Sequence, residues 1–155
     1  MDTCSPTAVC YPATIRLATR RPNDFVDLTD RVHRLVVDAG LGTGLVNVQT
    51  THTTTAVVVN ENEPLLIRDL DDLLERLVPR GRAYRHDDLG RRPDVPAGEP
   101  RNGHAHGKAL LLPATVCLNV IGGRLVLGRW QRVFLVDLDG PREREVTLVA
   151  TGVAR

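Results

Sequence analysis

From residue 115 onward the chain carries no helical stripe, and every break in its strand-like rhythm is a turn residue. Val116–Val120, Gly122-Gly123 and Arg124–Leu127 read as a tight hairpin. Trp130–Leu138 alternates, Asp139-Gly140-Pro141 turns, and Glu145–Thr151 reads as a last strand. That run of strands commits the chain to a sheet-dominated domain. Upstream, Ala13–Thr19, Gly44–Thr50 and Ala56–Asn60 are short and largely β-branched, the composition of strands. Two segments break the pattern with a helical period. Leu28, Val32, Leu35, Val36 and Ala39 follow Asp27, an N-cap residue, and stop at Gly40. Leu66, Leu70, Leu73, Leu74 and Leu77 follow Pro64, placed as a first helical residue. The total is two helices and six to eight strands, an α+β protein.

The 155 residues suit one domain, read as a lead-in over residues 1–12 and a single domain over 13–155. Aromatic residues are 3%, so Leu and Val must fill the core. A formal charge of +1 supplies no field to hold the chain on nucleic acid or an anionic membrane. The Arg-rich stretch 80–101 is offset by Asp87, Asp88, Asp94 and Glu99, and with so few aromatics for base stacking RNA binding is disfavoured. No apolar run is long enough to span a membrane, and the first residues have no signal-peptide pattern. Cys4, Cys10 and Cys117 are odd in number and lack CxxC spacing. They read as free thiols in a reducing cytoplasm.

Four polar clusters carry the candidate chemistry. Gln49–Thr55 sets His52 among hydroxyls, with Asn60-Glu61 close behind; its bland reading is a Thr-rich strand with one exposed face. Tyr84-Arg85-His86-Asp87-Asp88 lies in a long polar segment, residues 79–107, that reads as loop, where histidines are commonly just solvated. Asn102–Lys108 contains His104 and His106, two residues apart, which share a face if the segment is extended. It also holds the one lysine, Lys108, a compact charge suited to phosphate. In Gly128-Arg129-Trp130-Gln131 the indole and the amide fall on opposite faces of a strand; core filler is the competing reading for the Trp. His33, inside the first helix, reads as structural. Motifs of nucleotide-binding folds, α/β-hydrolases and zincins are absent.

Together these clusters resemble the YjbQ-like family of secondary thiamine-phosphate synthases. The matching residues are His52-Thr53-Thr54, Asn60-Glu61-Asn62, Asp69, Tyr84 with His86, Asn102 with His106 and Lys108, Gly128 with Trp130-Gln131, and Asp139-Gly140-Pro141-Arg142 with Arg144. The resemblance implies a β-rich pseudobarrel or sandwich of mixed sheets with two main helices, assembled as a homotrimer. It implies transfer of a hydroxymethylpyrimidine from its diphosphate to a thiazole phosphate, releasing pyrophosphate. A divalent zinc or magnesium ion would be held by His52, His86 and His106. His52, Glu61, Asp69 and His106 would be catalytic, while Thr53, Thr54, Asn60, Asn102, Lys108, Trp130, Gln131 and Arg142 would bind a small phosphorylated substrate. A non-catalytic metal- or phosphometabolite-binding protein built on the same residues is the alternative. Leu89 departs from the family pattern, standing where a glutamate is usual before Gly90.

Overall fold

A computed structural model describes residues 7–155. The elements are β1 (Ala8–Ala18), β2 (Asp24–Asp27), α1 (Thr29–Asp38), β3 (Leu41–Thr50), β4 (Thr55–Glu61), α2 (Pro64–Leu77), α3 (Gly103–Leu111), β5 (Thr115–Ile121), β6 (Arg124–Leu125), β7 (Gln131–Asp137) and β8 (Glu143–Ala154). Five strands form a curled sheet in the order β1-β8-β3-β5-β6, and three form a second sheet in the order β2-β7-β4. Every pairing among the described residues is antiparallel, so the expected mixed sheets are corrected to antiparallel ones. The connections are hairpins or cross between the two sheets, and none is the crossover that parallel strands require.

The elements follow from local chemistry. The N-cap of α1 is Leu28 rather than the expected Asp27, which stands one residue earlier and accepts the Thr29 N–H at 2.9 Å; Gly40, at φ +62°, takes the left-handed turn that ends the helix. Glu63 caps α2 through the N–H groups of Leu65 and Leu66, with Pro64 at the first position where no N–H is needed. Gly122 and Gly123 both adopt positive φ, as the β5–β6 hairpin requires.

The small sheet is buried on both faces. Val57, Val133 and Leu135 join α1 residues Val32 and Val36 and the large-sheet residues Val46, Val48, Val146 and Leu148 in the main core. Ala56, Phe134, Val136 and Leu138 face the other way, onto Leu74 of α2 and Ala105 of α3. Phe25 meets Phe134 edge-on at 6.0 Å, one of the few aromatic contacts in a Leu/Val interior. Val133–Val136 is therefore a continuous buried run rather than the alternating strand its sequence implied.

Three further expectations change. Strand β1 begins at Ala8, inside the presumed lead-in, and pairs with β8 over its whole length. Pro12 is tolerated there because β1 is an edge strand. The segment 79–107 is not all loop, because α3 starts at Gly103. His33, read as structural, is exposed on α1. Cys10 and Cys117 are exposed and unbridged; Cys4 lies outside the described residues. No helix among the described residues is long and apolar enough to cross a membrane.

Candidate functional site

A polar cleft of about 400 Å³ opens where β3 passes to β4, β7 passes to β8, and the N-terminus of α3 meets the segment before it. Thr50 and Thr55 clamp the base of the β3–β4 turn by a mutual hydroxyl hydrogen bond, and both are buried. The Thr54 carbonyl accepts the Leu138 N–H at 3.0 Å, tying that turn to the second sheet. Part of the hydroxyl run is thus structural, while Thr51, Thr53 and Thr54 line the cleft with His52.

Beneath the cleft lies a buried ion pair. Asp137 is fully buried and Arg144 is 4% exposed; guanidinium Nε and Nη2 contact the two carboxylate oxygens at 2.8 and 2.7 Å. Thr19 adds a hydroxyl at 2.6 Å and Gly140 an N–H at 2.8 Å. Burial alone would raise the Asp137 pKa, but the hydrogen bonds from Arg144, Thr19 and Gly140 outweigh it and hold the carboxyl below its ordinary value. The flanking cations are matched as well. Arg142 contacts Asp139 at 2.7 Å and Arg92 contacts Glu99 at 3.0 Å. Each of the three cleft arginines therefore has its own carboxylate, leaving no surplus positive charge among these pairs.

The imidazoles differ in state. His52 Nε2 accepts the Glu145 backbone N–H at 3.0 Å, which places the ring proton on Nδ1. Burial, then the Arg144 charge, lowers its pKa. His106 packs edge-on to His86 with ring centroids 4.6 Å apart. Burial lowers the His106 pKa, and the charge of His86 lowers it further. Both shifts favour the neutral imidazole over the imidazolium.

His104 and His106 do not share a face. On a helix, residues two apart diverge, and His104 turns away from the cleft to pack near Tyr84, its ring centroid at 6.4 Å. Gly103 is compressed beside it: an added Cβ would lie 2.5 Å from the Tyr84 Cβ.

The cleft brings together His52, Thr53, Thr54, His86, Asn102, His106 and Arg142. The remaining candidates lie elsewhere. Lys108 is fully buried and binds Glu75 of α2 and the Asn23 carbonyl oxygen, bracing α3 against α2 rather than meeting solvent. Burial opposes ionisation of Glu75, yet Lys108 and the Arg80 N–H hold its pKa down to about 2. Asp69 lines an acidic hollow with Asp72, Glu75 and Arg76. Asn60, Glu61, Trp130 and Gln131 line a separate recess, where Arg129 stacks over the exposed indole at 4.6 Å. Sequence reasoning missed Arg92 and Glu99 as cleft residues and the burial of Asp137; a polar segment and an alternating strand gave no signal for them.

The expected metal centre does not fit this donor set. Among the described residues no group of three or more His, Cys, Asp or Glu is placed to hold an ion, and His52 Nε2 already accepts a backbone N–H. The metal-binding expectation is corrected accordingly.

Residues 13–153 match the model of a family described as UPF0047 protein YjbQ-like. A UPF0047 protein of Archaeoglobus fulgidus is 41% identical over 136 residues, covering 88% of this chain and 98% of the relative. The UPF0047 protein YugU of Bacillus subtilis is 28% identical over 132 residues, covering 84% and 92%. A crystal structure from Sulfolobus solfataricus, described as a YbjQ-like protein of unknown function, superposes with a TM-score of 0.84 at 34% identity, covering 94% of this chain and 99% of that one. These names carry no thiamine-phosphate synthase or transferase activity. The implied transfer of a pyrimidine to a thiazole phosphate is therefore withdrawn.

Proposed function

Because the chain belongs to the YjbQ-like UPF0047 family, whose relatives above bring no assigned activity, we propose a function from the cleft itself: acid–base chemistry on a small polar molecule. The observation that carries this reading is the His86–His106 contact inside a charge-balanced polar cleft. A neutral imidazole of lowered pKa is a proton acceptor at physiological pH, and the ring packed beside it opposes its ionisation. His52, fixed with its proton on Nδ1, is a hydrogen-bond donor rather than a base. Because Arg92, Arg142 and Arg144 are each matched by a carboxylate, the ligand is uncharged or singly charged; a dianionic phosphate would find no unmatched cation.

We place the protein in the cytoplasm as a homotrimer. Support for self-association comes from the apolar groove lined by Phe25, Leu70, Leu73, Leu77, Leu111 and Leu112, with Leu77 59% and Leu111 56% exposed. Light scattering on the purified chain gives the subunit number directly.

The functional test is a thermal-shift screen of uncharged, singly charged and phosphorylated metabolites. Hits are then followed by NMR for deuterium uptake from D2O, the signature of proton abstraction and return. Uncharged or singly charged ligands should stabilise the protein, and deuterium uptake should vanish in His106→Ala with the fold kept. Stabilisation confined to phosphorylated compounds contradicts the proposal.

A further inference from the structure

Side chains alternate across a strand, so the buried residues of the five-stranded sheet fix which of its residues point the other way. Val46, Val48, Leu118, Leu148 and Ala150 enter the main core. The residues between them form the outer face, and the register aligns them in rows across β1, β8, β3 and β5. The central row is Pro12, Val149, Asn47 and Cys117, and the rows on either side pass through Thr147 and Thr151 of β8.

None of the side chains in these three rows of four is charged. Charged residues are 25% of the chain, so a solvent-facing array of this size would ordinarily carry about three. Instead, hydroxyls, amides and thiols alternate with aliphatic side chains, among them Leu45 at 42% and Val149 at 38% exposed. The first charges are Arg16 and Glu145 in the next row, paired across β1 and β8 at 3.3 Å. An uncharged centre with an ion pair at its margin is the anatomy of a protein–protein interface, whereas a solvated sheet face is richer in charge. With strands about 4.8 Å apart and rows about 7 Å apart, the array is about 20 Å across. That is the scale of the buried core of an interface covering about 800 Å² per partner.

The chemistry of the face selects its partner. It has no cation for nucleic acid or an anionic lipid surface, and no net charge to steer an oppositely charged protein. Hydroxyls and amides both donate and accept, so this face can meet a second copy of the chain without setting donor against donor. We propose that the outer face of the five-stranded sheet, centred on Val149, Asn47 and Cys117, is the surface through which copies of this chain assemble. The inference rests on the self-association reading and gives it a surface separate from the groove beside α2.

The test uses the full chain. Light scattering gives the subunit number of wild type, Val149→Lys, the conservative Val149→Thr and the groove variant Leu77→Arg, with circular dichroism as the check on folding. Wild type and Val149→Thr should assemble. Val149→Lys sets an unmatched charge at the centre of the face and should associate about a hundredfold more weakly. A second readout needs no substitution and decides the matter even if Val149→Lys fails to fold. Cys117 is exposed on the single chain, so its maleimide labelling, followed by peptide mass spectrometry, should slow about tenfold as protein concentration is raised through assembly. Assembly that survives Val149→Lys, or a Cys117 thiol that labels as fast in the assembled protein as in the dilute one, overturns the role of this face. Self-association then stands, and dissociation by Leu77→Arg would place it in the groove. A wild-type chain that stays monomeric at every concentration overturns both.

Discussion

Replacing Arg144 by leucine removes one half of the Asp137–Arg144 pair and leaves a fully buried carboxylate whose donors among the described residues are then Thr19 and the backbone N–H groups of Asp139 and Gly140. Deleting one partner of a buried pair costs about 3–5 kcal/mol, because the remaining charge is neither hydrated nor matched. At roughly 3 °C per kcal/mol for a chain of this size, the melting temperature should fall by about 10 °C or more. The pH dependence follows from the lowered Asp137 pKa. Its stabilisation is fully present above the unfolded carboxyl value of 3.8 and is lost as pH falls through the lower folded value. Urea denaturation of wild type and Arg144→Leu at neutral pH measures the cost, and repetition at acid pH measures its sign. The gap between the proteins should narrow as pH drops below 3.8. The double variant Asp137→Leu/Arg144→Leu should recover part of the loss, since no unmatched charge remains. A single-variant cost below about 1 kcal/mol, the range of surface pairs, would refute the assignment of this pair as the buried anchor under the cleft.

Lys108→Met should weaken the α2–α3 contact by about 1–3 kcal/mol in chemical denaturation and return the Glu75 pKa from about 2 toward 4.5 by NMR titration, while cleft resonances stay in place. Loss of cleft structure in that variant would show that Lys108 belongs to the site after all. Gly103→Ala should force Tyr84 from the start of α3 and cost about 1–3 kcal/mol, read as a lower melting temperature with altered His104 and His106 resonances. An unchanged spectrum would mean the α3–Tyr84 contact is loose.

The readable part of the fold was the part set by local chemistry. Gly122-Gly123, the Gly40 stop and the Pro64 start each act within a few residues, so the hairpin and two helices are visible in the chain. Helix α3 was hidden because its buried face is built from Gly103, His104, Ala105 and Lys108, which make no apolar stripe. Strand β7 was misread as half-exposed because only the packing of two layers shows that both its faces are covered. In the site, His52, His86, Asn102 and His106 stand in clusters that sequence singles out, and the structure does bring them together. The departures come from longer-range pairing. Nothing near Lys108 in the chain announces Glu75 or Asn23 as its partners, and Glu61 and Trp130 are carried to a different recess by the β4–β7 register, which pairs Glu61 with Gln131.

The proposed chemistry requires a neutral, proton-accepting His106 in the cleft, its ionisation opposed by its neighbour His86. Titration of the histidine ring nitrogens by ¹⁵N NMR, in wild type and His86→Asn, tests it most directly. His106 should titrate below the ordinary 6.5 and move upward once His86 is replaced. A His106 that titrates above 6.5, or one that ignores the loss of His86, would contradict it.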